Sequence, residues 1–220
     1  MRYFITGTDT SVGKTLVAAA LTLATRGCYW KPIQSGVAVE AADLTQVKAY
    51  TQLPHHHFLP SRYTLQAPYT PSQAALLENI DIDLTTCLLP KISSQCPATK
   101  ALFVEGAGGI YSPLTTNACI IDYIQMLGLP VIIVSRGTLG TINHTLLTIA
   151  ALHQRNIPIK GIIFSGELHV PSQLDIERLG GVTTLFHLPA FTELTSAILQ
   201  AWVAKHRNKI LQALENKSHS

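Results

Sequence analysis

Short runs of apolar and β-branched residues alternate along this chain with longer stretches whose apolar side chains recur every three or four positions. The short runs are Tyr3-Phe4-Ile5-Thr6, Cys28 to Ile33, Ala101-Leu102-Phe103-Val104 and Val131-Ile132-Ile133-Val134, followed by Gly161-Ile162-Ile163-Phe164 and Thr184-Leu185-Phe186-His187. They are apolar throughout rather than alternating, which suits strands covered on both faces in a parallel sheet. The longer patterns predict helices over Lys14 to Thr25, Ala42 to Gln52, Asp83 to Ser94, Ile120 to Leu127, Thr141 to Arg155 and Leu194 to Leu214. His55 to Pro71, rich in Pro and aromatic residues, reads as a loop or irregular excursion. No internal repeat and no linker divides the chain. The expected class is α/β, a single domain with a mostly parallel central sheet and helices on both faces.

Composition narrows this picture. A length of 220 residues suits one large domain. Charged residues make up 13%, about half of the usual ~25%. Such a deficit fits a surface partly covered by a partner subunit, or a neutral surface rich in Thr, Ser, Gln and His. The formal charge is only +3 and Lys and Arg form no run, so no nucleic-acid footprint is expected. No segment approaches the ~20 apolar residues of a membrane span. Met1 to Ile5 lead directly into a strand, unlike a signal peptide. Cys28, Cys87, Cys96 and Cys119 lack CxxC spacing and read as reduced thiols, which points to the cytoplasm and away from zinc. Adjacent His55, His56 and His57 do not converge on one ion and read as a solvated loop. Lys209 to Ser220 turns polar and is expected to fray.

The chemistry lies where the strands end. After the first strand comes Gly7-Thr8-Asp9-Thr10-Ser11-Val12-Gly13-Lys14-Thr15, running into an Ala-rich helix. Glycines let the backbone wrap a phosphate, and the helix N-terminus supplies free N–H groups. In this P-loop reading Lys14 reaches the β- and γ-phosphates and Thr15 binds Mg²⁺. Gly7 and Gly13 enclose one residue more than the generic motif does, so in strict register Thr8 takes the first glycine position.

After the second strand comes Lys31-Pro32-Ile33-Gln34-Ser35-Gly36. Lys31 reads either as a solvated strand end or as a second positive charge beside a transferred phosphoryl group. Asp43 reads as a helix-opening carboxylate favoured by the dipole, or as a Mg²⁺ ligand. The third strand ends in Val104-Glu105-Gly106-Ala107-Gly108-Gly109, an apolar run closing on an acidic residue in the manner of a Walker B segment. Asp122 reads as structural. After the fourth strand, Ser135 to His144 places small residues and a helix start at the same edge, a second anion site. Thr141 or Asn143 could equally be only an N-cap, and His144 reads as packed or solvated.

Together these segments resemble one family, dethiobiotin synthetase, an ATP-dependent ring-closing ligase. The carriers are Gly7-Thr8-Asp9-Thr10-x-Val12-Gly13-Lys14-Thr15, Lys31-Pro32-x-x-Ser35-Gly36, Val104-Glu105-Gly106-Ala107-Gly108-Gly109 and Gly140-x-Ile142-Asn143-His144. The extra P-loop residue is the family form. The resemblance implies a single-domain P-loop fold and a cytoplasmic homodimer whose substrates are 7,8-diaminononanoate, CO₂ (from bicarbonate) and ATP with Mg²⁺. One amine of the substrate would take up CO₂ as a carbamate, the carbamate would attack the γ-phosphate of ATP, and the second amine would close the ring and expel phosphate.

By the same resemblance Lys14 and Lys31 contact carbamate and γ-phosphate, and Thr15, Asp43 and Glu105 hold Mg²⁺. Thr10 to Leu16 (Thr10, Ser11, Val12, Gly13, Lys14, Thr15, Leu16) and Glu105 to Gly108 (Gly106, Ala107) surround the phosphates. Ser35 contacts substrate, while Asn143 and the backbone of Leu139, Gly140, Thr141 and Ile142 hold its carboxylate beside the neighbouring subunit. Ser165, Gly166, Pro189, Ala190 and Phe191 form the adenine pocket. Two positions depart from the family: Ser11 stands where an acidic residue is frequent, and Ser165 where an Asn commonly reads adenine. A hydroxyl cannot make the paired hydrogen bonds of an amide, so relaxed base selectivity is expected. The rival reading is a regulatory P-loop ATPase of the partitioning or septum-placing type, or another amide- or ring-forming ligase on this scaffold. The former usually carries an additional lysine early in the P-loop, where Thr8, Asp9 and Thr10 stand here.

Overall fold

The computed structural model describes residues 1–90 and 101–216. Its strands are β1 (Arg2–Gly7), β2 (Cys28–Trp30), β3 (Ile33–Gln34), β4 (Phe58–Leu59) and β5 (Tyr63–Thr64), then β6 (Leu102–Gly109), β7 (Val131–Arg136), β8 (Ile159–Gly166) and β9 (Thr184–Pro189). Its helices are α1 (Lys14–Thr25), α2 (Asp43–Thr51), α3 (Pro71–Leu77), α4 (Ile120–Leu127), α5 (Thr141–Gln154), α6 (Val170–Gly180) and α7 (Ser196–Glu215). Seven strands form one sheet in the order β4-β2-β6-β1-β7-β8-β9, with every neighbouring pair parallel. A small pair, β3 and β5, stands apart.

The apolar runs explain this arrangement. Phe4, Leu102, Val104, Val131 and Ile133 face one layer of core, which α3, α4, α5 and α6 cover with residues such as Ala74, Ile124, Leu152 and Ile176. Ile5, Tyr29, Phe103, Ile132 and Val134 face the opposite layer, covered by α1, α2 and α7 through Val17, Val47 and Leu199. A sheet buried on both faces needs strands without alternation, and that is the pattern these runs carry.

Several boundaries differ from the sequence reading. The strand expected from Cys28 to Ile33 breaks at Lys31-Pro32, and Ile33 leaves the main sheet for β3. Proline has no N–H to donate to a ladder, so the strand cannot run through it. The excursion from His55 to Pro71 holds a short 3₁₀ turn over His55–His57 as well as β4 and β5. His57 is buried and uses Nδ1 to donate to the Gly27 carbonyl at 2.8 Å, so that part of the triplet is not solvated. Of the helix expected over Asp83 to Ser94, only a 3₁₀ turn at Leu84–Cys87 forms among the described residues, and 91–94 lie outside them. Helices α3 and α6 were not expected. Both begin with Pro in their first turn, which fits a helix start but reads in sequence as a breaker. Helix α7 continues to Glu215, so the stretch from Lys209 expected to fray is helical that far, and 217–220 lie outside the described residues. Cys87 and Cys119 are free thiols, whereas Cys28 is disulfide-bonded, against the expectation of reduced thiols throughout; Cys96 lies outside the described residues.

Candidate active site

The site follows from strand register. In the β2–β6 pair Tyr29 lies opposite Phe103 and Trp30 opposite Val104. Side chains alternate along strands, so Tyr29, Lys31, Phe103 and Glu105 share one face, the face onto which α1 packs. In the β1–β6 pair Ile5 lies opposite Glu105. The acidic end of β6 therefore arrives beside both the P-loop after β1 and the lysine after β2.

The loop from Thr8 to Gly13 turns tightly back over the end of β1. Lys14 Nζ donates to the Asp9 carbonyl at 2.8 Å, and a Cβ added at Gly7 would lie 2.8 Å from Nζ. Gly13 has φ 93°, and a Cβ there would meet Ser165 Oγ at 2.3 Å, so the strand end of β8 backs the loop. Ser11 also takes a left-handed conformation, with φ 54°. At the N-terminus of α1, Thr15 Oγ1 lies 2.9 Å from Asp43 Oδ1 and 3.0 Å from Glu105 Oε1. Lys31 Nζ donates to Asp43 Oδ2 and, at 3.1 Å, to Glu105 Oε1.

These contacts set the charges. Burial opposes the Lys31 ammonium, but the Glu105 and Asp43 carboxylates outweigh it and hold its pKa above the ordinary lysine value. Lys14 is pulled down to about 8, by burial first and by repulsion from Lys31 second. Burial works to raise the Asp43 pKa, yet Lys31 and the Thr15 hydroxyl bring it below the ordinary carboxylate value. All of these groups border one open cleft of about 500 Å³.

An AAA domain family matches residues 1–197. The ATP-dependent dethiobiotin synthetase BioD of a Bradyrhizobium species is 42% identical, over 92% of this chain and 94% of that protein. The enzyme of the same name from Agrobacterium fabrum is 39% identical, over 94% of this chain and 95% of that protein. This chain belongs to the ATP-dependent dethiobiotin synthetase family. It also matches the biotin biosynthesis bifunctional protein BioCD of Bordetella avium at 44% identity over 90% of this chain, but spans only 42% of that longer protein. In fold it is similar to the septum site-determining protein MinD complexed with Mg-ADP from Pyrococcus horikoshii, at 13% identity and a TM-score of 0.52, covering 97% of this chain and 93% of that one. A ParA family ATPase from Chlorobium tepidum has a TM-score of 0.50 at 12% identity, covering 98% of this chain and 93% of that one. The common ground with both is the P-loop fold.

Of the residues expected at a site for this family, Thr10, Ser11, Gly13, Lys14, Thr15 and Leu16 border the cleft. So do Lys31, Ser35, Asp43, Glu105, Ala107 and Gly108. Val12 is buried beneath the loop, and Gly106 is buried with its carbonyl 3.5 Å from Lys31 Nζ. Ser35 uses its hydroxyl to donate to the Tyr69 carbonyl at 2.8 Å. Gly166 pairs with Pro189 where β8 and β9 end, and His187 donates from Nε2 to the Gly166 carbonyl at 2.7 Å. Ala190 is exposed and the Phe191 ring meets Trp202 edge-on at 6.4 Å.

Leu139 to Asn143 do not border the cleft. They form the turn into α5, where Gly140, not Thr141 or Asn143, is the N-cap and no side chain caps the helix. The Thr141 hydroxyl is buried, 2.7 Å from Ser135 Oγ, which also lies 2.8 Å from Thr145 Oγ1. Thr141 can therefore offer a ligand only its backbone. Asn143 and His144 are exposed, and His144 lines a second cleft with Thr8, Asp9 and Tyr111. Asp122 is structural as expected: it accepts from the Cys119 N–H at 2.8 Å and pairs with Arg155 at 3.1 Å.

Two residues were missed. Tyr29 donates its phenolic proton to Glu105 Oε2 at 2.9 Å. Gln34 Oε1 accepts the Asp43 N–H at 3.1 Å and so fixes the start of α2. Pairing the two strand ends residue by residue would have placed Tyr29 diagonally across from Glu105; nothing local signalled Gln34.

Proposed function

We propose that this chain is an ATP-dependent dethiobiotin synthetase, which closes 7,8-diaminononanoate on CO₂ with conversion of ATP to ADP and phosphate. The observation that carries the reading is the meeting of Lys14, Lys31, Thr15, Asp43 and Glu105 at one cleft in a chain of this family. The P-loop N–H groups and the α1 N-terminus suit the triphosphate. Lys14, with its lowered pKa, binds phosphate as the ammonium, and Lys31 extends positive charge to where the carbamate oxygen meets the γ-phosphorus. Such positioned charge supplies the catalysis, because phosphoryl transfer leaves the protein little covalent chemistry to do.

Thr15 Oγ1, Asp43 Oδ1 and Glu105 Oε1 would hold Mg²⁺. The Thr15 hydroxyl has one proton and two carboxylate neighbours at hydrogen-bond distance, so it can satisfy only one of them at a time. A cation satisfies all three, and an all-oxygen donor set completed by phosphate and water suits Mg²⁺. Held by these three oxygens, Mg²⁺ would supply positive charge that offsets the negative charge developing on the phosphates. Ser165, Gly166 and Pro189 to Phe191 are assigned to adenine on their position at the ends of β8 and β9, next to the loop.

The working form is assigned as a cytoplasmic homodimer. Tyr111 and Leu147, at 60% and 62% exposure, line the second cleft, and Leu139 is fully exposed at the turn before α5. A partner laid over this surface would bring its turn from Leu139 to Asn143 to the carboxylate of the substrate, with Ser35 on the near side. No helix among the described residues is long and apolar enough to cross a membrane, and the substrates are small polar molecules. The test supplies the purified protein with diaminononanoate, bicarbonate, ATP and Mg²⁺ and seeks dethiobiotin by mass spectrometry. The expected product mass overturns the switch-ATPase reading; ATP hydrolysis that needs a protein partner and yields no ring product overturns this one.

A further inference from the structure

The two oxygens of the Glu105 carboxylate face different surroundings. Oε1 borders the cleft, 3.0 Å from Thr15 Oγ1 and 3.1 Å from Lys31 Nζ. Oε2 turns into the sheet's core, where the Tyr29 hydroxyl donates to it at 2.9 Å. Tyr29 is 0% exposed and Glu105 1%, so bulk water cannot replace that donor. The Tyr29 ring is itself clamped in the apolar layer beneath α1 with Phe103, Val17 and Val47. A glutamate has three rotatable bonds, and contacts on Oε1 alone leave its carboxylate plane free to turn. A rigid phenol at Oε2 removes that freedom.

We infer that Tyr29 is a positioning residue, which locks the Glu105 carboxylate so that Oε1 faces the cation of the nucleotide complex. The inference rests on the proposed reading of Glu105 as a Mg²⁺ ligand. Partners in this outer position typically change metal affinity or activity by about 10–100-fold when removed.

The test compares wild type, Tyr29→Phe and Glu105→Gln in three measurements. These are ADP affinity in EDTA, Mn²⁺ affinity of the protein–ADP complex by electron paramagnetic resonance, and turnover as a function of Mg²⁺. Phenylalanine keeps the ring and its packing, so metal-free ADP binding stays at the wild-type value. Mn²⁺ affinity falls about 10–100-fold. The Mg²⁺ concentration for half-maximal turnover rises by a similar factor, while kcat at saturating Mg²⁺ falls much less. Wild-type Mn²⁺ affinity in Tyr29→Phe, with a loss in Glu105→Gln, overturns the role of Tyr29 alone. Equal loss of metal-free ADP binding in Tyr29→Phe assigns Tyr29 to packing and also overturns it. Wild-type Mn²⁺ affinity in Glu105→Gln overturns the ligand reading and the inference with it.

Discussion

At Lys14 the ammonium touches the Asp9 carbonyl and feels Lys31 as a like charge, whereas at Lys31 two carboxylates surround it. The contrast has a pH signature. With a pKa of about 8 in the free protein, Lys14 loses its proton as the pH rises past that value. A bound phosphate favours the charged form, so above pH ~8 binding must take up a proton. Metal-free ADP affinity should fall as pH rises through this range and level off below it, with proton uptake seen by calorimetry in buffers of different ionisation enthalpy. Lys14→Ala and Lys31→Ala should each lower kcat/KM by at least about 10²–10³-fold, the usual loss for one preorganised charge-stabilising donor, with folding checked by circular dichroism. Ser165 is nearly buried against Gly13 and presents a hydroxyl where an amide could have read a base edge. Comparing kcat/KM for ATP, CTP and GTP should give preferences of at most about 10²-fold; about 10⁴ or more would require a hydrogen-bonded reading of adenine.

Two glycines separate backbone strain from contact at the level of elements. Gly13 and Gly140 each open a helix with positive φ, 93° and 90°. An alanine at either carries strain of about 1–3 kcal/mol. The new methyl at 140 would meet only the edge of His144 at 3.9 Å, whereas at 13 it would collide with Ser165. Gly140→Ala should therefore lose stability in denaturant titration with ADP binding intact, and Gly13→Ala should lose both. The helices that open at Lys14, Ile120 and Thr141 and the central strands were legible in the sequence, because burial on two faces leaves an unbroken apolar run. So was the meeting of Lys14, Lys31 and Glu105, since every such run ends at the same edge of a parallel sheet. What was not legible has physical reasons. Two residues per strand are too few to show a period, which hid β4 and β5. Pro71 and Pro171 mark helix starts here but resemble breaks. The burial of Thr141 depends on Ser135 and Thr145, which are brought to it only by folding.

At the scale of the whole molecule, the exposed apolar side chains of Tyr111, Leu139 and Leu147 lead to an expected sedimentation at about twice the chain mass of 23.9 kDa. Leu147→Glu, a charge set into that face, should shift the equilibrium towards monomer and lower activity most at low protein concentration. Sheet order has one more consequence, for synthesis. The strand carrying the phosphate loop lies at the middle of the sheet, between β6 and β7. Its first neighbour begins at Leu102 and its second at Val131. A nascent chain that has just emerged with the loop therefore cannot yet use it: long-range closures are slow, and one edge of β1 stays unpaired until β6 (Leu102–Gly109) has left the ribosome and the other until β7 (Val131–Arg136) has. Nucleotide binding by a growing chain would thus report completion of the sheet, not appearance of the motif.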